Sequence, residues 1–130
     1  MECLARYKSP LIKGIKNVAF SNDGELVAAS GMDPNHSLVI FRWRTAQDSK
    51  QEGPVASGQG PSTSIWSLGF SPDKSQLIAT CTRDVIFYTF EKGVIKGRRG
   101  TGWNRAPGAV TCQAFVEDRL YTGTHDGRIV

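Results

Sequence analysis

With 130 residues, 39% of them hydrophobic and 22% charged, the chain has the make-up of one globular domain of modest core, which excludes a disordered chain. Its net charge of +4 favours acidic partners, whether nucleic acid, acidic protein tails or anionic membrane. No apolar run approaches the ~20 residues of a bilayer-spanning helix, and residues 1–14 lack the apolar core of a signal peptide, so a soluble, cytoplasmic chain is expected.

Taken in order, residues 3–7 read as the outermost strand of a preceding unit, and residues 8–14 as a loop. Residues 15–20 form a first strand with Val18 and Phe20 on one face, by the period of two. Asp23-Gly24 marks a hairpin, and residues 26–30, small or apolar throughout, read as a strand covered on both faces. A wider turn over 31–36 leads to a third strand over 38–43. A polar insert over 45–53 follows, then a short fourth strand over 54–57 at an outer edge where Pro54 is tolerable. Residues 57–64 connect to a second unit with strands at 65–70, 77–81, 85–90 and 94–97. Its turns are Ser71-Pro72-Asp73-Lys74, Thr82-Arg83-Asp84 and Glu91-Lys92-Gly93. A connector over 98–108 leads to strands at 110–115 and 120–124 and the start of another at Arg128. No stretch repeats apolar residues at helical spacing for three turns.

Self-similarity is the main signal. Phe20, Phe70 and Phe115 anchor three segments spaced 70 − 20 = 50 and 115 − 70 = 45 residues apart. Periods near 40–45 residues fit the four-stranded blade of a propeller, and the insert over 45–53 lengthens the first. The sequence therefore predicts an all-β partial β-propeller of four-stranded antiparallel blades. Residues 1–14 give an outer strand and connector, 15–57 a first blade, 64–97 a second and 109–130 an incomplete third. Such an array cannot close by itself, because propellers use four to eight blades. It is expected to be a piece of a longer protein, or to self-associate through its open ends.

The residues now carry a family. Thr122–Val130, TGTHDGRIV, and ATCTRDVIFYTF over 79–90 resemble the signature of WD-repeat propellers. The resemblance implies that Asp84 and Asp126, the latter followed by Gly127, are structural turn residues that tie adjacent strands by hydrogen bonds. No Trp-Asp dipeptide closes a third strand and no Gly-His precedes a first one. DPNHSLVIFRW over 33–43 is similar to a stretch of the echinoderm microtubule-associated protein-like family, although that family's hydrophobic HELP motif is absent. This second resemblance implies a tubulin-binding, cytoskeleton-associated scaffold. A general WD-repeat adaptor in another assembly, and a nucleic-acid-binding module, are the alternatives.

Catalytic chemistry is not in evidence. His36 and His125 both read as turn residues with no second histidine or nucleophile near them in sequence. The S-x-x-K pattern at Ser71–Lys74 is a strand turn without companion motifs, and Gly58-Gln59-Gly60 does not continue into a phosphate loop. Asn35-His36-Ser37 is a sequon that would stay unmodified in a cytoplasmic chain. Cys3, Cys81 and Cys112 form no C-x-x-C pair, so no disulfide framework and no metal or other cofactor is expected. Cys81 and Cys112 are expected to be buried thiols within strands. The candidate binding feature is the second connector, where Lys96, Arg98, Arg99 and Arg105 surround Trp103. Lys8, Lys13 and Lys16 would share its face. Arginines pair bidentately with carboxylates and a tryptophan anchors contacts, so this rim suits an acidic protein partner. The alternative is an ordinary solvated loop with Trp103 packed on its blade. The chain is read as a binding scaffold and not as an enzyme.

Overall fold

The computed structural model describes residues 13–42, 55–100 and 109–130. Ten strands appear in it and, among the described residues, no α-helix. The first blade is β1 (Ile15–Phe20), β2 (Leu26–Gly31), β3 (Leu38–Arg42) and β4 (Ala56–Gly58). The second is β5 (Ile65–Phe70), β6 (Gln76–Cys81), β7 (Val85–Glu91) and β8 (Val94–Arg99). Consecutive strands within each blade pair antiparallel. The two blades also touch at their outer edges through one parallel pair, Ser57 with Val94. A third unit holds β9 (Val110–Val116) and β10 (Arg119–Thr124), with one bridge from Gly123 to Ile129 where the next strand begins.

The blades repeat in detail. Ser21 and Ser71 each donate to an aspartate two residues on, Asp23 and Asp73, at 2.6 Å. Each serine hydroxyl also accepts the amide five residues on at 3.0 Å, and each aspartate accepts the amide two residues on. These side chains satisfy the backbone groups that a tight turn leaves unpaired. One residue per first hairpin sits in left-handed space: Gly24, Lys74 and Glu117, at φ 71, 61 and 55. Each first strand also carries a bulge four residues before its phenylalanine, at Lys16, Trp66 and Thr111.

The main core lies between the first two blades, where Leu38, Ile40, Ile65 and Leu77 are fully buried. Alternation along β6 sends Ile78 to the opposite face, against Val85 and Val110. The doubly covered character read for β2 holds, since all six of its residues are buried. Glycine at 97 is required by packing: a Cβ there would lie 2.6 Å from the Tyr88 ring.

Several boundaries shift from the sequence reading. The fourth strand of the first blade is Ala56–Gly58, and Pro54 lies outside the described residues. The strand ending the second blade runs on to Arg99, because Phe87 and Ile86 keep pairing with Arg98 and Arg99. Cys81 is fully buried, but Cys112 is exposed. The outward face of β1 is open as well, with Val18 57% and Phe20 59% exposed, whereas the equivalent Phe70 is 7% exposed beneath its neighbour.

Candidate partner-binding rim

Antiparallel order puts the starts of β1, β5 and β9, the β2–β3 and β6–β7 turns and the end of β8 at one rim, called upper here. The first hairpins of the blades form the lower rim. At the upper rim the bulges bring neighbouring blades into contact. The Lys16 ammonium sits 5.6 Å from the centroid of the Trp66 ring, a cation–π distance. Trp66 is 48% exposed and its indole N–H donates to Thr82 Oγ1 at 3.3 Å. Behind this pair runs a polar seam: Ser67 and Thr80 hydroxyls lie 2.7 Å apart, and Gln113 Nε2 of β9 donates to Ser67 Oγ and to the Ile78 carbonyl.

The upper-rim carboxylates are engaged in their own turns. Asp33 accepts the Ser37 amide and, at 2.7 Å, its hydroxyl, which holds the Asp33 carboxyl below the usual range. Asp126 accepts the Thr124 hydroxyl and lies 3.3 Å from Arg128. Gly127, at φ 87, closes that turn by donating its amide to the Thr124 carbonyl. Asp84 differs: its carboxylate faces Arg99 at 3.7 Å, and its backbone carbonyl, not the side chain, takes the Cys81 amide.

Of the candidate binding residues, Lys96, Arg98 and Arg99 lie on β8 and are exposed. The sequence reading put Arg98 and Arg99 in the connector; they belong to an outer strand, where long charged side chains are tolerated and blunt the edge. Trp103 and Arg105 lie outside the described residues, as do Lys8 and the insert over 45–53. The structure thus brings Arg98 and Arg99 toward the Asp84 turn, and its aromatic centre among the described residues is Trp66. The bulge that exposes Trp66 has no local sequence signal. Only the alignment of Lys16, Trp66 and Thr111 ahead of the phenylalanines marks it.

No group of three or more metal-ligating side chains occurs among the described residues. His36 sits in a turn at φ 46 with Nδ1 2.8 Å from the Pro61 carbonyl, so Nδ1 carries the proton and donates. Burial pushes the Cys81 thiol up to about 11, which keeps it protonated and unreactive. No helix of the described residues is long and apolar enough to cross a membrane.

Comparison with known proteins agrees with this architecture. The family described as WD domain, G-beta repeat matches residues 52–84, from ahead of β4 to the Asp84 turn. Cilia- and flagella-associated protein 43 of Chlamydomonas reinhardtii is 32% identical over 129 residues, covering 92% of this chain and 8% of that protein. Cilia- and flagella-associated protein 44 of Mus musculus is 28% identical over 68 residues, covering 52% of this chain and 3% of that protein. The chain therefore spans under a tenth of the length of these relatives. These sequence relatives are cilia- and flagella-associated proteins and not members of the echinoderm microtubule-associated protein-like family, to which residues 33–43 are similar. A chain in the crystal structure of the mitotic checkpoint complex superposes with a TM-score of 0.66 at 17% identity, over 88% of this chain and 35% of that one. Residues 52–84 match the WD-repeat family, and the chain has the fold of part of a β-propeller.

Proposed function

We propose that this WD-repeat scaffold holds an acidic protein partner on its upper rim, and that in a cytoskeletal setting this partner is the acidic tail of tubulin. The observation that carries the reading is the separation of charge between the rims. Lys13, Lys16, Arg83, Arg98, Arg99 and Arg128 lie at the upper rim, where the carboxylates are those of Asp33, Asp84 and Asp126, each already engaged. Every described glutamate, Glu25, Glu91 and Glu117, lies at the opposite rim. An acidic segment approaching the upper rim meets guanidinium and ammonium groups with Trp66 among them, a combination that pairs and anchors. The cilia- and flagella-associated relatives support a cytoskeletal, ciliary location.

Cosedimentation with microtubules tests this. Binding is expected at low salt and is expected to weaken as the Debye length falls from ~10 Å at 0.1 M. Reversing Arg98 and Arg99 to Glu should weaken it further without unfolding, because both side chains are solvent-facing on an outer strand. Proteolytic removal of the tubulin tails should have the same effect. Absence of cosedimentation at low salt removes tubulin and leaves a scaffold for another partner. Binding that ignores both charge reversal and tail removal moves the contact off this rim.

A further inference from the structure

Trp66 stands where the first two blades meet at the upper rim. It belongs to β5, and the inner strands on both sides of β5 are in place. Lys16 of β1 reaches the Trp66 ring from one side, and Gln113 of β9 bonds to the adjacent Ser67 from the other. The surroundings of Trp66 are therefore built from inner strands alone, whatever lies farther out in the third unit. The ring is nonetheless 48% exposed, because Trp66 is the extra residue of a strand bulge.

The indole N–H is already engaged, since it donates to Thr82 Oγ1 at 3.3 Å. What Trp66 still offers is its apolar ring surface, which takes a flat apolar group and gains nothing from a further hydrogen-bond acceptor. The Lys16 ammonium lies over that ring, 5.6 Å from its centroid. Arg83 follows Thr82, the residue that holds the indole. Lys16 and Arg83 are both exposed, and among the described residues neither has a carboxylate partner. Uncompensated positive charge therefore stands beside open aromatic surface. A carboxylate drawn to Lys16 brings the next residue of its own chain alongside, at a Cα spacing of about 3.8 Å, within reach of the Trp66 ring.

We propose that Lys16 and Trp66, with Arg83, form a two-part site for an acidic protein segment in which an aromatic residue stands next to a carboxylate. This rests on the acidic-partner reading of the upper rim and adds the side chain that the partner sets on Trp66. The carboxylate pairs with the Lys16 ammonium, and the partner's ring packs on the indole, edge to face or offset. Arg83 takes a second carboxylate of the same segment. A nucleic acid also joins an anion to a flat ring. Two features of this rim disfavour it. A phosphate chain would have to pass the carboxylates of Asp33 and Asp84. Strand binding also relies on a series of stacking platforms, whereas Trp66 is the exposed aromatic of this rim among the described residues.

The test is a titration of the intact chain at low salt with capped Glu-Glu-Phe-Glu, Glu-Glu-Ala-Glu and Lys-Lys-Phe-Lys peptides and with an oligothymidylate. Calorimetry gives the affinities, and the indole N–H resonance of Trp66, assigned through Trp66→Phe, gives the place. Glu-Glu-Phe-Glu should bind about tenfold tighter than Glu-Glu-Ala-Glu and should shift the Trp66 resonance. Lys-Lys-Phe-Lys should not bind. Trp66→Ala should bring the two acidic peptides to equal affinity. Trp66→Phe should restore the preference, because the ring and not the N–H makes the contact. Lys16→Gln should weaken both acidic peptides alike, by about threefold. Circular dichroism checks that each variant is folded. Equal binding of the two acidic peptides by the parent chain, or a Trp66 resonance that Glu-Glu-Phe-Glu leaves in place, overturns the proposal while the acidic-partner reading stands. Failure of both acidic peptides to bind removes that reading and the proposal with it. Tighter binding of the oligothymidylate than of Glu-Glu-Phe-Glu overturns the proposal in favour of a phosphate chain.

Discussion

The two blade junctions share equivalent inner strands but differ in their outer ones among the described residues. At the first, four strands face four. Ile40 of β3 is fully buried in a cluster that includes Tyr88 and Ile95 of the neighbouring outer strands, and Phe70 meets Phe90 edge to face at 6.2 Å. At the second, four strands face two among the described residues. Phe87, which occupies on β7 the register position of Ile40 on β3, is only half-buried. Val110 still packs on Ile78 and Val85 near the upper rim. Lower down, Gln113 bonds across to Ser67 and Ile78, its Oε1 is buried without a hydrogen-bond partner among the described residues, and a groove opens over Phe87, Phe115 and Leu120. Each blade thus pairs its strands internally but depends on its neighbour for burial. Its inner strands seal the junction close to the axis, and the seal farther out depends on what the neighbour places over the third strand.

The largest expected difference between the junctions is in the cost of truncating a floor residue. Leu77→Ala removes a fully buried side chain from the first junction and should cost roughly 2–5 kcal/mol, transfer plus cavity. Leu120, its register equivalent, is half-buried. Leu120→Ala should therefore cost about 1 kcal/mol, the transfer value for partial burial with no closed cavity left behind. Denaturant melts compare the two directly. Equal losses would mean that the second junction is sealed as tightly as the first.

How much of this was legible in the sequence follows from where each signal lives. Strand runs and Asp-Gly or Pro-Asp turns are local, so eight of the ten strands were placed to within a residue or so. The exceptions, β4 and β8, are the outer strands. These have short or charged sequences, and partner strands alone define their extent, as Arg98 and Arg99 show by pairing with Phe87 and Ile86. The phenylalanine period named the blades but not their exposure. Phe20, Phe70 and Phe115 are equivalent in sequence and differ in burial, because burial depends on a neighbouring blade. The same reason exposes Cys112, read as a buried thiol. Of the candidate rim, Lys96, Arg98 and Arg99 lie exposed on β8, but the pairing of Lys16 with Trp66 comes from two bulges that no composition signal marks.

The turn aspartates sharpen the comparison at a smaller scale. Asp126 accepts the Thr124 hydroxyl and holds Arg128, so Asp126→Ala leaves that buried hydroxyl only the longer bond to the Arg128 carbonyl at 3.3 Å and should cost about 1 kcal/mol. Asp84 has an ion pair at 3.7 Å to an Arg99 side chain that is 74% exposed, so Asp84→Ala should cost roughly 0–1 kcal/mol and lose that contribution in high salt. Thermal melts of the two variants give the order. A larger loss at Asp84 would mean that its carboxylate takes over the turn hydrogen bonds in solution.

The smallest expected effect is the most specific to the difference between the junctions. Glu117→Lys installs at the second junction the cation that Lys74 supplies to Asp23 and Glu25 at the first, on a residue already in the left-handed conformation that Lys74 adopts. The variant should melt slightly higher than the parent, and the gain should disappear as salt is raised, since every charge involved is solvent-facing. Its pH dependence has a definite sign. A carboxyl whose folded pKa is depressed contributes stability that is fully present above its unfolded value of about 3.9 and is lost as pH falls through the folded value. Asp73 already sits at about 2 through Ser71 and Ser75. The parent should therefore lose the contribution of this turn between about pH 4 and pH 2, and the new lysine should push the lower limit further down. Lys74→Gln should do the reverse at the first junction, where the Lys74 hydrogen bond is the largest cause holding the Asp23 carboxyl well below the usual range. Acid melts of the three proteins are the measurement. A gain for Glu117→Lys that survives high salt, or that is the same at pH 2 as at neutrality, would show that the substitution acts by relieving backbone strain at that position and not by completing a junction clip.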